Sequence, residues 1–174
     1  CLVFARRLRR LPPMPPPPAW GSPCREPLHI GGWPATLDPD RLLASTADLR
    51  QLCWRVAGVE RRSNDLAPAL AQVRQRHSML AAEPLLRRLY AQPPEVALVL
   101  DAPQRQALRL AHDLMQRLTL AALLIEAALF RQESRGGHFR TDAPASQPFW
   151  QCHSLQRRGR AITTEPIQRG SAPR

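Results

Sequence analysis

Residues 103–132 read PQRQALRLAHDLMQRLTLAALLIEAALFRQ, and residues 133–138, which follow, read ESRGGH. In the first segment apolar residues recur at alternating steps of three and four, which places them on one face of an α-helix. A second apolar row lies beside the first, so we predict a long helix that is covered on more than one side and stands at the centre of a bundle. The first row comprises Leu108, Ala111, Met115, Leu118, Ala122, Ile125 and Leu129, and the second comprises Leu110, Leu114, Ala121, Leu124 and Ala128.

Signals for both ends of this helix are present in the sequence. Asp101 is placed to cap the helix start, with Gln104 three residues later, which is the spacing of a capping box. Gly136 and Gly137 are predicted to end the helix, because glycine adopts the left-handed conformation without a side-chain clash. The chain is then expected to turn back.

Shorter helices are predicted before the long one. One has Asp40 or Thr46 as its candidate cap and ends at Gly58, with Trp54 packed on a neighbouring helix. Another begins at residues 63–65, where Ser63, Asn64 and Asp65 are candidate caps, and its apolar residues again follow helical spacing. A short helical piece covers residues 84–90. These segments and the long helix predict about three main helices.

The composition of the 174-residue chain bounds its class. The length suits one domain with a real core and is hardly enough for two. Aromatic residues make up only 5% of the chain, which favours helices over a sheet. All 25 Lys and Arg positions are arginine and the formal charge is +11, which invites a nucleic-acid partner. The arginines are spread along the chain without interleaved aromatic residues that would stack on bases, so we expect no nucleic-acid binding.

Spacing alone reveals no reactive site. The four cysteines form no Cys-x-x-Cys pair and the five histidines have no zinc-ligand spacing, so no metal site is predicted. There is no glycine-rich phosphate loop, no Gly-x-Ser-x-Gly and no pair of carboxylates at a fixed helical spacing. From the residues alone we therefore assign no catalytic and no cofactor-binding residue.

The expected compartment follows from the apolar runs and the cysteines. The most apolar run, residues 118–130, contains Glu126 and is too short to span a bilayer. The N-terminal residues lack the pattern of a secretory signal, and the cysteines fit free thiols in a reducing compartment, with a disulfide framework as the alternative. We expect a soluble, cytoplasmic protein without a membrane partner.

Composition divides the chain into four parts. Residues 1–11 have helical spacing without a cap, and because Cys1 stands where a natural chain has Met, we interpret them as the end of a helix from a longer protein. Prolines make residues 12–39 a connector with some polyproline II character, and a ligand for a proline-recognising domain is the alternative. Residues 40–144 are the bundle and residues 145–174 a basic tail. The predicted fold is an all-α helical bundle with a proline-rich N-terminal connector and an irregular C-terminal tail.

Three segments carry a family resemblance. Residues 133–144, ESRGGHFRTDAP, resemble the Glu-Ser-Arg-Gly-x-His-x-Arg-x-Asp-x-Pro signature of flavoproteins in the L-aspartate oxidase, succinate dehydrogenase and fumarate reductase superfamily. Residues 49–62, LRQLCWRVAGVERR, are similar to an earlier helix pattern of that superfamily, with Cys53 in place of Met. Residues 1–7, CLVFARR, resemble the continuation of its Ser-Asn-Ser-Leu-Leu-Glu segment, whose residues approach the flavin. The order and spacing of the three segments agree with the superfamily.

The resemblance is strongest to the L-aspartate oxidases. It implies the C-terminal helical domain of an enzyme that uses FAD to oxidise L-aspartate to iminoaspartate in de novo NAD synthesis, with quinolinate synthase as its pathway neighbour. Residues 1–11 would then close the flavin-binding domain of the same protein. The alternatives are the flavoprotein subunit of succinate dehydrogenase or fumarate reductase, and a non-enzymatic basic helical module. The catalytic and FAD-binding residues of the family lie upstream of Cys1, so this segment alone is expected to be inactive.

The signature after the long helix suggests a structural role. We hypothesise that Glu133, Arg135 and His138 form a hydrogen-bonded cluster that docks the bundle on the flavin-binding domain. The alternative is a solvated pair of Glu133 and Arg135, which would be worth under about 1 kcal/mol.

Overall fold

The computed structural model of the chain describes residues 28–30, 32–92, 97–157 and 159–167, and helices make up most of this part. Helices α1 to α4 span Pro39–Ala57, Ser63–Ala81, Pro84–Tyr90 and Ala102–Phe130. Strands β1 to β6 span Leu28–His29, Glu60–Arg61, Leu98–Val99, Phe139–Arg140, Cys152–Leu155 and Thr163–Pro166. Short 3-10 turns lie at Ala35–Leu37 and Pro148–Trp150. The prediction of a mainly helical bundle is confirmed.

The short strands pair distant parts of the chain. β1 lies parallel to β3, with Leu28 opposite Leu98. β2 lies parallel to β4, with Arg61 opposite Arg140. β5 and β6 form an antiparallel hairpin. The β2–β4 pair holds the start of α2 beside the segment that follows α4, and this pairing positions the candidate site.

Helix α4 packs against both α1 and α2, so its predicted place at the centre of the bundle is confirmed. Its buried residues follow steps of four and three along one face, and they meet apolar side chains of α1 and α2 in a single core. Burying one leucine in such a core contributes roughly 1.5–3 kcal/mol. The buried face comprises Ala107, Ala111, Leu114, Leu118, Ala121, Ile125 and Ala128.

The prediction of two covered rows on α4 was right only in part. The buried face takes members from both rows, whereas Leu124 of the second row is exposed together with Leu120 and Leu123. Trp54 on α1 was predicted to pack on a neighbouring helix, and it is instead 80% exposed. A helix buries the stripe that faces its neighbours. Leu52 and Val56 occupy that stripe of α1, so Trp54 points away from the core.

The start of α4 agrees with its sequence signals. The Asp101 side chain accepts a hydrogen bond from the backbone N–H of Gln104 at 2.7 Å. The Gln104 side chain accepts one from the backbone N–H of Asp101 at 3.1 Å. The predicted capping box is therefore confirmed, and it satisfies two backbone donors that the helix itself leaves unpaired.

Replacing Asp101 with alanine is expected to destabilise the protein by about 1 kcal/mol, because the first turn of α4 loses its side-chain acceptor. For a chain of this size the melting temperature should fall by about 2–4 °C. Circular dichroism during thermal unfolding measures the change. Asp101→Asn is the matched control, since asparagine is an equally good cap, and an equal loss in both variants would contradict the explanation.

The caps of α1 and α2 differ from the prediction. α1 is capped by Asp38 rather than by Asp40 or Thr46, and the Asp38 carboxylate accepts from the backbone N–H of Arg41 at 3.0 Å. The reason is Pro39, which favours the first helical position and so moves the cap one residue before it. α2 begins at Ser63, within the predicted region, but residues 63–65 are already helical and do not cap it.

The connector and the tail are more regular than predicted. The described end of the connector contributes β1 and the 3-10 turn, whose Leu37 is fully buried in the core. The tail contains the β5–β6 hairpin. It was not predicted, because residues 156–162 between its two strands contain no Asn-Gly or Asp-Gly turn. The predicted helix end at residues 1–11 and most of the connector lie outside the described residues. No helix in the described ranges is long and apolar enough to cross a membrane.

Candidate functional site

The segment after α4 contains a tight turn rather than a helix stop. α4 ends at Phe130, and Arg131 already has an extended backbone. Arg135 and His138 exchange two backbone hydrogen bonds of 2.8 and 3.0 Å, and Gly136 between them has a φ of 57°. The prediction that the two glycines end the helix was wrong, because a left-handed glycine serves a tight turn as well as a helix end.

Replacing Gly136 with alanine is expected to destabilise the turn by about 1–2 kcal/mol, because the left-handed backbone is strained for a residue with a Cβ. No atom lies within 4 Å of a Cβ at this position, so the cost comes from the backbone alone. Gly137→Ala is the matched control, since Gly137 has open space and no positive φ. Thermal unfolding compares the two, and an equal loss in both would contradict the assignment.

Glu133 is the buried acceptor of the turn. Its side chain is fully buried and pairs with Arg135 through two bonds, from Nε to Oε1 at 2.9 Å and from Nη2 to Oε2 at 3.0 Å. Oε1 also accepts from Arg131, and Oε2 accepts from the backbone N–H of Gln147 at 2.9 Å. These donors, Arg135 first, lower the pKa of Glu133 to about 2. Glu133 is therefore a paired anion that orients the turn.

His138 connects the turn to β2. Its Nδ1 lies 3.2 Å from Nη1 of Arg61, and because arginine only donates, Nδ1 is the acceptor. Nε2 therefore carries the hydrogen and donates to the carbonyl oxygen of Arg131 at 3.0 Å. Burial, together with the neighbouring arginine charges, lowers the pKa of His138. His138 is thus a neutral link between two fixed partners.

The three residues predicted to cluster lie together, but not all of them touch. Glu133 and Arg135 form a direct bidentate pair. His138 reaches Glu133 through Arg131, whose carbonyl accepts from His138 and whose guanidinium donates to Glu133. In the described part of the chain no hydrogen bond joins the side chains of His138 and Glu133 directly.

Arg131 fastens the tail to the turn. Its guanidinium donates to the carbonyl oxygens of Trp150 at 2.9 Å and Cys152 at 2.6 Å. The same group lies 5.4 Å from the centre of the Trp150 ring, within cation–π range. Trp150 in turn meets Phe130 edge to face, with ring centres 5.3 Å apart. Arg131, the residue directly after α4, therefore binds the start of the β5–β6 hairpin.

Arg140 is the most buried of the described arginines of the site, at 1% exposure. Its Nη1 donates to the carbonyl oxygen of Ala128 at 2.8 Å, near the C-terminus of α4. Its Nε and Nη2 donate to the two carboxylate oxygens of Asp142, each at 2.7 Å, and Nη2 also donates to the hydroxyl of Ser63. A cation suits the negative end of a helix dipole, so Arg140 closes the end of α4.

Asp142 completes this link at the start of α2. Its Oδ2 accepts from the backbone N–H of Ser63 at 2.8 Å, which supplies from a distance the cap that α2 lacks locally. The Arg140 guanidinium holds the pKa of the Asp142 carboxyl well below its usual range. Sequence reasoning did not assign Arg140 or Asp142 to the site. The available signal was an arginine and a carboxylate two residues apart in the signature, which can pair with each other.

This arrangement of side chains can bind and orient other groups of the protein itself. Both carboxylates, Glu133 and Asp142, are paired with arginines, and both ring nitrogens of His138 are bonded. No group of three metal-ligating side chains occurs among the residues that the structure describes. These residues also do not fit FAD: the parallel pairs β1–β3 and β2–β4 are two residues long, and neither runs into a Gly-x-Gly-x-x-Gly turn and helix.

Comparison with known proteins gives a family and two relatives. The L-aspartate oxidase of Nostoc sp. is 42% identical over 108 residues, which are 62% of this chain and 19% of the relative. The L-aspartate oxidase of Synechocystis sp. is 31% identical over 172 residues, which are 97% of this chain and 30% of the relative. The chain thus spans less than a third of the length of these relatives. No solved structure matches it.

Residues 46–172 match the family described as the fumarate reductase flavoprotein C-terminal region. This range includes α2, α3, α4, the turn after α4 and most of α1. The match agrees with the resemblance carried by residues 133–144 and 49–62. The chain belongs to the fumarate reductase flavoprotein C-terminal family.

Proposed function

We propose that this chain is the C-terminal helical domain of an FAD-dependent L-aspartate oxidase, which oxidises L-aspartate to iminoaspartate. The observation that carries the proposal is the 31% identity to the Synechocystis L-aspartate oxidase along 97% of the chain. The second relative has the same name. In this proposal the flavin and the substrate bind to the remainder of the protein, and the helical domain supports that part.

The proposal includes a docking role for the turn. Glu133 and His138 hold its shape from within, and Arg135, whose side chain is 38% exposed, presents its outer edge beside Gly136 and Gly137. The flavin-binding domain of the same protein would contact this exposed edge. The full burial of Glu133 supports an organised turn over the solvated-pair alternative, because a buried bidentate pair holds one geometry.

The setting of the enzyme is part of the same proposal. We place it in the cytoplasm, where a quinolinate synthase would consume the iminoaspartate that it releases. We also retain the division of the chain into residues 1–11 from the flavin-binding domain, a connector at 12–39, the bundle at 40–144 and the tail at 145–174.

The proposed activity can be tested with the purified whole gene product that contains this chain. We expect purified protein to carry flavin and to produce hydrogen peroxide with L-aspartate at least tenfold faster than with succinate. Dye reduction with succinate and none with aspartate would instead support the succinate dehydrogenase or fumarate reductase alternative. Whole protein that binds no flavin would overturn the enzyme proposal in favour of a non-enzymatic basic module.

Replacing Arg135 with alanine in the whole enzyme tests the docking role. We expect faster loss of flavin and a melting temperature lowered by several degrees. Glu133 would keep Arg131 but lose its bidentate partner, and the turn would lose its contact with the flavin-binding domain. Arg74→Ala is the matched control, since Arg74 pairs with Glu126 on the exposed surface and lines neither the groove between α1 and α4 nor the groove beside the turn. Flavin retention and thermal stability equal to those of the control would rule out the docking role.

A further inference from the structure

An apolar surface crosses α1 and α4 on the outside of the bundle. A groove of about 230 Å³ between the two helices is lined by Cys53, Leu120 and Leu124, and also by Arg50 and Arg117. Leu120 is 64% exposed and Leu124 is 51% exposed. Trp54 follows Arg50 by one helical turn, so it stands beside the same groove. We call Cys53, Trp54, Leu120 and Leu124 the α1–α4 face.

This face is continuous with the turn after α4. A second groove, of about 420 Å³, is lined by Leu124 and Ala127 of α4 and by Gly137 and His138 of the turn. Because Leu124 lines both grooves, the two grooves adjoin on α4, one reaching Cys53 on α1 and the other reaching the signature turn. Single exposed apolar residues are normal on a protein surface, whereas neighbouring ones along a groove mark an interaction site.

The length of the relatives indicates what covers this face. The chain spans 30% of the Synechocystis relative, so more than two thirds of a protein of that length lies outside it. Domains of one polypeptide usually meet over about 600–1,500 Å². The two grooves, joined at Leu124, offer a surface that extends well beyond the turn itself.

We propose that the flavin-binding part of the same polypeptide docks on the α1–α4 face, with Trp54, Leu120 and Leu124 as its apolar anchors and the turn at one end. This inference rests on the proposed function, because it takes the remainder of the protein to be a flavin-binding part. Burying each anchor would contribute roughly 1.5–3 kcal/mol to domain association.

Cys53 provides a direct readout in the whole flavoprotein. It lines the groove together with Leu120 and Leu124, so a docked partner shields its thiol from iodoacetamide. Burial raises the pKa of Cys53 within the bundle itself, so the comparison is made between variants that share this bundle. The rate of Cys53 labelling is followed by mass spectrometry of the peptide that contains it.

A double variant, Leu120→Gln with Leu124→Gln, should label at Cys53 at least tenfold faster than the wild type. Both side chains are exposed in the bundle, so circular dichroism should show an unchanged fold. Trp54→Gln is a second variant with the same expected result. Met79→Gln is the matched control, since Met79 is 68% exposed on α2 and lines a different groove, and it should label like the wild type.

Equal and fast labelling of Cys53 in the wild type and the double variant would overturn the proposal. Protection that grows with protein concentration, with a halved mass of the double variant in size-exclusion chromatography, would overturn it in favour of a second copy of the chain. A wild-type flavoprotein that protects Cys53 but oxidises no aspartate would support the docking face while refuting the proposed substrate. The failures of the two proposals are therefore distinguishable.

Discussion

Replacing Arg140 with alanine is expected to lower the free energy of unfolding by about 3–5 kcal/mol, the usual cost of removing one partner from a buried ion pair. Arg140 is 1% exposed, so water cannot reach the groups that it leaves unpaired unless the surrounding structure rearranges. Its loss leaves the Ala128 carbonyl oxygen without this donor and the Asp142 carboxylate without its cation. Asp142 also holds the start of α2, so the damage reaches the ends of two helices.

Thermal unfolding of Arg140→Ala should show a melting temperature about 6–20 °C lower, from about 2–4 °C per kcal/mol in a chain of this size. Arg117→Ala is the matched control, because the exposed pair of Arg117 and Asp113 contributes under about 1 kcal/mol. Arg140→Lys should recover only part of the loss, since an ammonium group cannot make the two parallel bonds to Asp142. A loss in Arg140→Ala no larger than in Arg117→Ala would show that the buried link does not hold the bundle together.

Local signals predicted the helices well because they act over a few residues. The spacing of apolar residues placed α4 at the centre, and the four residues from Asp101 to Gln104 contained its capping box. The same rules failed where one signal serves two structures. Gly136 was expected to stop a helix and instead closes a tight turn, since both need a positive φ.

The link through Arg140 was missed because it joins residues that are far apart in the sequence. Arg140 bonds to Ser63 across 77 positions and Asp142 bonds to it across 79. A chain with 25 arginines gives no local sign of which one is buried, since periodicity reports only apolar faces. Trp54 was misplaced for a related reason: a pattern shows that a side chain is apolar, not that another part of the chain covers it.

Replacing Glu133 with glutamine tests the other buried carboxylate, and a loss of about 3–5 kcal/mol is expected. Glutamine has the same shape, but it leaves Arg131 and Arg135 without a countercharge. Its amide N–H₂ also replaces one of the carboxylate oxygens that accept from Arg135 and the backbone of Gln147. Glu126→Gln is the matched control, because Glu126 pairs with Arg74 at the surface.

The pH dependence separates the charge of Glu133 from its shape. The pKa of Glu133 falls from 4.5 to about 2 on folding, so in this range the unfolded chain binds more protons than the folded one. Its contribution to stability is therefore complete above a pH of 4.5 and is lost as the pH falls toward 2. Urea unfolding should show a smaller loss of stability across this interval in Glu133→Gln than in the wild type, while Asp142 titrates in both proteins. Equal losses would mean that the turn holds Glu133 by its shape and hydrogen bonds, and that its charge contributes nothing to the bundle.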